Sequence, residues 1–197
     1  MARTTIPARS TDTWRDAALV TGAFVALLWV LEIVDAATGH PLDAYGVQPR
    51  SEEGLVGVLV APVLHFGFDH LVSNTVPVAV LGFLALVTGL ARGLLATAII
   101  WLVGGLGVWL FAGAQTTHAG ASVLVFGWIV FLVVRGFLTG RRAEILIGVV
   151  VFLLYSGALL GVLPGQPGVS WQGHLFGAIG GAVAARVTSG RRRTSYE

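Results

Sequence analysis

Three short polar stretches interrupt a chain that is otherwise strongly apolar. They read HFGFDHLVSN at residues 65–74, THAGAS at 117–122 and SWQGHLFG at 170–177. Together they supply serine hydroxyls, imidazoles and amides, which are side chains that can take part in acyl transfer. A serine hydroxyl becomes nucleophilic when an adjacent base takes its proton, and histidine is the base whose pKa suits neutral pH. Amide and imidazole N–H groups can stabilise the charge that develops on a carbonyl oxygen.

The composition indicates that these groups belong to a membrane protein. Of the 197 residues, 55% are hydrophobic and 11% are charged, whereas about a quarter of a soluble domain is charged. A larger core does not explain the deficit, because a domain of this size still exposes much of its surface. The chain has no cysteine, which excludes disulfides, thiolate nucleophiles and cysteine-based metal sites. The net charge of +2 does not indicate a nucleic-acid partner.

Six apolar runs are long enough, or nearly so, to cross about 30 Å of hydrocarbon as helices. We therefore predict an all-α polytopic bundle of six transmembrane helices in residues 17–188, with tails at 1–16 and 189–197. The first run is too long for a signal peptide, so it is expected to be retained as a span. The longest polar connection is predicted at 38–56, and Glu32 and Asp35 are expected to be solvated or interfacial at the end of the first span. The six runs lie near 17–37, 70–90, 93–112, 120–138, 143–163 and 170–188.

The arginines predict the orientation of the bundle. With six spans both termini lie on one side, and Arg50 alone lies on the other. Cytoplasmic loops collect basic residues, so we predict a multi-pass protein of the cell (inner) membrane with both termini cytoplasmic. The use of arginine for every basic residue, with abundant Ala, Gly and Val, is typical of a GC-rich, bacterial genome. The arginines on the cytoplasmic side are Arg3, Arg9, Arg15, Arg92, Arg135, Arg141, Arg142, Arg186 and Arg191 to Arg193.

This orientation brings the three polar stretches to one depth. Each opens an even-numbered span at its outer, N-terminal end, and polar groups at membrane depth tend to face the interior of a bundle. His70 and Asn74 are four residues apart and share a helix face, while His65 is expected in the preceding loop. A row of small residues at 173, 177, 181 and 185 permits close helix contact. That row is expected to bring His174 against the fourth span, where Ser122 follows Gly120 and Ala121.

These motifs, in this order, resemble the rhomboid family of intramembrane serine proteases. The resembling segments are H-x4-H-x3-N at 65–74, GAS at 120–122 and H-xx-G-xxx-G at 174–181, within a resemblance over roughly 53–185. The resemblance implies Ser122 as nucleophile, His174 as general base, and His70 and Asn74 in the oxyanion hole. It implies structural support of the site by His65, Gly120, Gly177 and Gly181. No carboxylate has a clear position behind His174, so a Ser–His dyad is expected.

Two features depart from the family pattern. The serine motif usually continues with glycine, and here Val123 follows Ser122. The Trp-Arg pair common in the first outer loop is absent, and the equivalent stretch at 55–65 reads LVGVLVAPVLH. The first departure touches the predicted active site, and the second suggests a different packing of the loop.

Three functions remain open from the sequence. The first is an active protease whose substrates are single-pass transmembrane proteins admitted from the bilayer and cut near their outer end, as the family implies. The second is a catalytically dead relative that binds transmembrane segments as a scaffold. The third is a metal-binding or transport protein using His65, Asp69, His70, His118 and His174, although H-x4-H is not the HExxH zinc motif. We expect no cofactor and no metal at the site, and the sequence does not predict an oligomeric state.

Overall fold

The computed structural model describes residues 10–189, and within that range the chain is helical, with no named β-strand. Short 3₁₀ turns occupy Pro41–Tyr45, Ala61–Val63 and Ala158–Val162. The prediction of an all-α membrane bundle is confirmed. The α-helices are α1 (Ser10–Thr38), α2 (Glu52–Val60), α3 (Phe68–Val87), α4 (Leu90–Phe111), α5 (Ser122–Thr139), α6 (Arg142–Tyr155) and α7 (Trp171–Thr188).

Four of these helices, α1, α3, α4 and α5, are long and apolar enough to cross a membrane. The run predicted at 143–163 differs from the structure, because its α-helix ends at Tyr155 and a 3₁₀ turn follows. The 14 residues of α6 extend about 21 Å at 1.5 Å per residue, which is less than the hydrocarbon thickness. The count of six crossings therefore stays a prediction. The predicted tails at 1–16 and 189–197 fall partly outside the described residues, and α1 already begins at Ser10.

Helix α5 lies at the centre of the bundle, with most of its residues buried. Helix α7 packs directly against it through the predicted row of small residues. A Cβ atom on Gly177 would lie 2.2 Å from the carbonyl oxygen of Val123, and one on Gly181 would lie 2.1 Å from that of Gly127. Only glycine permits such an approach of the two backbones.

Val123 fits into the contact between α5 and α4. Its side chain is 8% exposed, and a Cβ atom on Gly104 would lie 2.2 Å from its Cγ2 atom. The valine methyl group therefore occupies the space that the missing side chain of Gly104 leaves. Val123 lies within α5, and its φ angle is not positive. The valine is accommodated in an ordinary helical conformation.

Glu32 and Asp35 were expected to be solvated or interfacial at the end of the first span, and the expectation of solvent exposure is wrong. Each is only 2% exposed. The chain reverses after α1 and covers Asp35, while Glu32 lines a small cavity with Leu64 and His65. The Leu42 N–H group donates a hydrogen bond of 2.7 Å to Asp35 Oδ1. Glu32 and Asp35 are thus buried inside the folded molecule, although they lie at the end of the first predicted span.

Arg135, which the sequence predicts on the cytoplasmic side, is a buried charged residue of the bundle. It lies inside α5 and is 2% exposed. Its Nε atom is 3.2 Å from Glu144 Oε2 in α6, and its Nη1 atom donates to the Thr188 carbonyl of α7. Arg135 therefore joins three helices at the end of the bundle opposite Ser122.

The polar connection at 38–56 is folded onto the bundle, and its last residues begin α2. The Arg50 guanidinium donates hydrogen bonds of 3.0 and 2.8 Å to the carbonyls of Leu110 and Ala112 at the end of α4. The Trp109 indole donates one of 2.8 Å to the Ser51 carbonyl. Carbonyls at a helix C-terminus have no intrahelical donor, so a cation is favourable there.

Candidate active site

Ser122 and His174 are in hydrogen-bond contact across the α5–α7 interface. The Ser122 Oγ atom lies 3.0 Å from His174 Nε2. Ser122 is the first residue of α5, and His174 lies in the first turn of α7, on the same side as Gly177 and Gly181. The close approach of the two helices therefore determines this distance.

The other ring nitrogen of His174 is held by a main-chain carbonyl. Its Nδ1 atom lies 2.9 Å from the Gly161 oxygen, and because a carbonyl only accepts, Nδ1 carries the proton. The neutral ring then presents Nε2 as an acceptor for the Ser122 hydroxyl. The Phe126 ring stacks on the imidazole with centroids 3.9 Å apart. Sequence reasoning missed Gly161 and Phe126, since neither carries a signal for this role.

His70 and Asn74 lie one turn apart at the start of α3, as predicted. The Phe66 N–H group donates to His70 Nδ1 at 3.4 Å, which leaves the proton of the neutral ring on Nε2. The Asn74 amide donates a hydrogen bond of 2.9 Å to the His70 carbonyl, using one of its two N–H groups. Each side chain thus keeps a donor that can serve an oxyanion.

Gly120 allows the loop before α5 to lie against His70. Its φ angle is +119°, a region that side chains strongly disfavour. A Cβ atom there would lie 2.7 Å from His70 Nε2. Both observations require glycine at this position, two residues before Ser122.

His65 is buried beneath the loop before α5, at 2% exposure. Its Nε2 atom accepts a hydrogen bond of 3.4 Å from the Ala121 N–H group, and its ring meets that of His70 edge-on at 5.1 Å. Burial, with a smaller effect of His70, lowers the pKa of His65 to about 3. A neutral His65 therefore supports the residue next to Ser122.

His118 and Ser170 connect the loop before α5 to the start of α7. Thr116 donates its hydroxyl proton to the Gly113 carbonyl, so it accepts from His118 Nε2 at 2.8 Å. His118 Nδ1 is then the acceptor for the Ser170 hydroxyl at 2.7 Å. Ser170 in turn caps α7 by accepting from the Gly173 N–H group. Burial lowers the pKa of His118, which favours the neutral ring that this network needs.

One cavity of about 510 Å³ contains the candidate residues from all three polar stretches. His70 and Asn74 line it from α3, Ser122 from α5 and His174 from α7. Asp69, one residue before His70, is exposed and does not line this cavity. The three segments predicted to share one depth therefore meet at one end of the bundle.

Comparison with known proteins gives the family. The family model described as Rhomboid domain matches residues 52–191, which is more than half of the chain. The chain belongs to the rhomboid family. Members of the family are generally serine proteases, and the distance between Ser122 and His174 agrees with that chemistry.

Relatives of this rhomboid occur in mycobacteria and in Bacillus. An uncharacterized protein of Mycobacterium tuberculosis is 49% identical over 178 residues, covering 86% of this chain and 74% of its own length. An uncharacterized protein of Mycobacterium leprae is 46% identical over the same share of this chain and 70% of its own length. A Bacillus subtilis protein named "Putative rhomboid protease YdcA" is 26% identical over 144 residues, 70% of each chain.

Proposed function

We propose that this rhomboid is an intramembrane serine endopeptidase with a Ser122–His174 dyad. The observation that carries the proposal is the 3.0 Å separation of Ser122 Oγ and His174 Nε2. The Gly161 carbonyl supports it by fixing the tautomer in which Nε2 is free to accept a proton. His174 takes the hydroxyl proton as Ser122 attacks the scissile carbonyl.

The oxyanion of the tetrahedral intermediate would lie at the N-terminus of α5. The first N–H groups of a helix have no intrahelical acceptor, and the helix dipole favours negative charge there. The Nε2–H group of His70 and the second N–H group of Asn74 are further donors from α3. A single donor of this kind contributes about 2.7–4 kcal/mol to stabilisation of the transition state in other enzymes. Collapse of the intermediate transfers the proton from His174 to the leaving amine, and water then hydrolyses the acyl-enzyme.

The proposed substrate is a single-pass transmembrane protein cut near the outer end of its helix. An apolar surface surrounds the bundle, with exposed large side chains on every spanning helix, which suits a substrate that arrives through the bilayer. A helical substrate must unwind locally to place an extended peptide bond against Ser122. The cavity supplies polar partners for the backbone groups that unwinding releases. We further propose that the site faces the outside of the cell (inner) membrane and that both termini are cytoplasmic.

Val123 is compatible with this activity. The scaffold alternative depended on a strained or blocked serine loop, but Val123 is helical and packs against Gly104. The metal-transport alternative needed free ring nitrogens on several histidines. Both ring nitrogens of His118 and of His174 are already in hydrogen-bond contact with protein atoms.

A serine-directed fluorophosphonate probe tests the proposal on detergent-purified protein. The wild type is expected to label, and Ser122→Ala and His174→Ala are each expected to lower labelling to background. The two losses should not add, because nucleophile and base act as one unit. Gel fluorescence of the labelled protein gives the rates.

Ser73→Ala is the matched control. Ser73 lines the same cavity, and its hydroxyl donates to the His70 carbonyl at 2.7 Å. This variant should retain labelling. It should also cleave a reporter with one transmembrane helix, whereas Ser122→Ala and His174→Ala should not. Labelling that survives Ser122→Ala would contradict the proposal. A folded wild type without labelling would leave the scaffold function instead.

A further inference from the structure

The buried acidic residues at the end of α1 form a second polar cluster on the Ser122 end of the bundle. The chain turns back at Gly39 and His40, both with positive φ, and then forms the 3₁₀ turn Pro41–Tyr45. The reversal returns Asp43 to Asp35. One ligand atom from each of Asp35, His40 and Asp43 lies within 4.8 Å of the others.

Two carboxylate oxygens in this cluster have no hydrogen-bond partner. Asp35 is 2% exposed, and its Oδ2 atom is buried without a hydrogen bond. The Oδ1 atom of Asp43 is buried in the same way. His40 Nδ1 lies 3.4 Å from Asp35 Oδ2. Buried carboxylate oxygens without hydrogen bonds are costly, and here an oxygen of Asp35 lies within 4.8 Å of an oxygen of Asp43.

A third carboxylate makes this region still more negative. Glu32 lies one turn before Asp35 on α1, is 2% exposed and also has a buried oxygen, Oε1, without a hydrogen bond. Glu32 and Asp35 line a small cavity together with His65. One imidazolium on His40 would offset one of these charges, whereas a divalent cation would offset two.

We propose that Asp35, His40 and Asp43 bind a divalent transition-metal ion of the Zn²⁺ type. Two carboxylates and one imidazole form a donor set that suits Zn²⁺, Mn²⁺ or Ni²⁺, whereas Ca²⁺ and Mg²⁺ prefer oxygen ligands alone. The His40 side chain is 48% exposed, so the ion has a path from solvent and room for a water ligand. The site is separate from the Ser122–His174 dyad, and the sequence did not predict it.

Binding would tie the loop after α1 to the end of that helix. Asp35 already holds the loop through the Leu42 N–H group, and the ion would add links to His40 and Asp43. The cavity next to this cluster contains His65, which contacts the residue before Ser122. The ion is thus a structural clamp close to the support of the catalytic serine.

Thermal unfolding of the purified full chain in detergent tests the site with ZnCl₂ alone. At about a hundredfold excess over the Kd, Zn²⁺ should raise the Tm of the wild type by on the order of 5 °C, and EDTA should reverse the shift. Equal concentrations of Ca²⁺ and Mg²⁺ should give a much smaller shift. Equilibrium dialysis should find one Zn²⁺ per chain at this site.

Two variants should abolish the Zn²⁺ shift. Asp35→Asn keeps an acceptor for the Leu42 N–H group while removing the charge. His40→Asn removes the imidazole from a surface position, and asparagine tolerates the positive φ of 63°. Asp16→Asn is the matched control, since Asp16 is an exposed carboxylate on the same helix, and it should keep the full shift.

A wild type whose Tm does not respond to Zn²⁺ would overturn the proposal, and the cluster would then be an ion pair of His40 with the two carboxylates. A Zn²⁺ shift that persists in folded His40→Asn would also overturn it, because the ion would bind elsewhere, for example at the histidines of the active-site cavity. Neither result depends on protease activity.

Discussion

At the scale of the residue, His65 shows how a buried imidazole makes stability depend on pH. Its pKa is lowered to about 3, whereas an unfolded histidine titrates near 6.5. Below about pH 6.5 the unfolded chain therefore binds a proton at His65, whereas the folded chain leaves His65 unprotonated down to about pH 3. The free energy of unfolding falls as the pH drops through this range. At pH 5 this one group accounts for a loss of about 2 kcal/mol. His65→Gln keeps an acceptor for Ala121 but does not titrate, so its Tm should fall less between pH 7.5 and pH 5. Thermal unfolding in detergent at several pH values measures the slope of Tm against pH for the wild type and for the variant. Some slope should remain in the variant, because burial also lowers the pKa of His118. Equal slopes would show that His65 does not titrate as a buried group.

At the scale of the element, the contact between α5 and α7 controls both stability and the dyad. A Cβ atom on Gly181 would lie 2.1 Å from the Gly127 carbonyl oxygen and 3.0 Å from the Phe131 nitrogen. Gly181→Ala should therefore push the helices apart, at a cost of about 1–3 kcal/mol, and weaken the Ser122–His174 contact. We expect a lower Tm and slower fluorophosphonate labelling. Gly22→Ala in α1 is the control, since its Cβ atom would meet no protein atom within 4 Å. That change should leave the Tm unchanged or slightly raised, because alanine favours a helix. A Tm for Gly181→Ala that matches Gly22→Ala would contradict the close packing of α5 and α7.

At the scale of the whole molecule, the distribution of charge predicts which side of the membrane holds the site. The exposed residues Ala114 and Gln166 lie in loops at the Ser122 end, and the exposed Ala143 lies near the other end. Because the natural chain has no cysteine, labelling of a single introduced cysteine has no background from other thiols of the protein. Ala114→Cys and Gln166→Cys should react with an impermeant maleimide added to intact cells. Ala143→Cys should react only after the cells are opened, since positive charge collects on the cytoplasmic side. The reverse pattern would move the site to the cytoplasmic face.

The bilayer environment of this protein and the approach of its main polar groups to one another could be predicted from the amino-acid sequence. Composition alone indicates a bilayer, and the regular spacing of small residues on α7 predicts close contact with the helix that starts at Ser122. Both signals are local, because hydropathy and helical periodicity can be read one segment at a time. The motifs at the starts of α3, α5 and α7 indicate the rhomboid family from the sequence alone.

The contacts that surround those groups depend on how the whole chain folds. The Gly161 carbonyl that orients His174 lies in the 3₁₀ turn Ala158–Val162, and a main-chain oxygen has no signature in an amino-acid sequence. Gly104 accommodates Val123 because two helices meet at one particular register, which depends on the packing of the whole bundle. Asp35 was expected to be solvated or interfacial at the end of the first span, yet it is buried because the chain folds back over it at His40. In each case the deciding partner is distant in sequence or belongs to the backbone, so no local pattern could predict it.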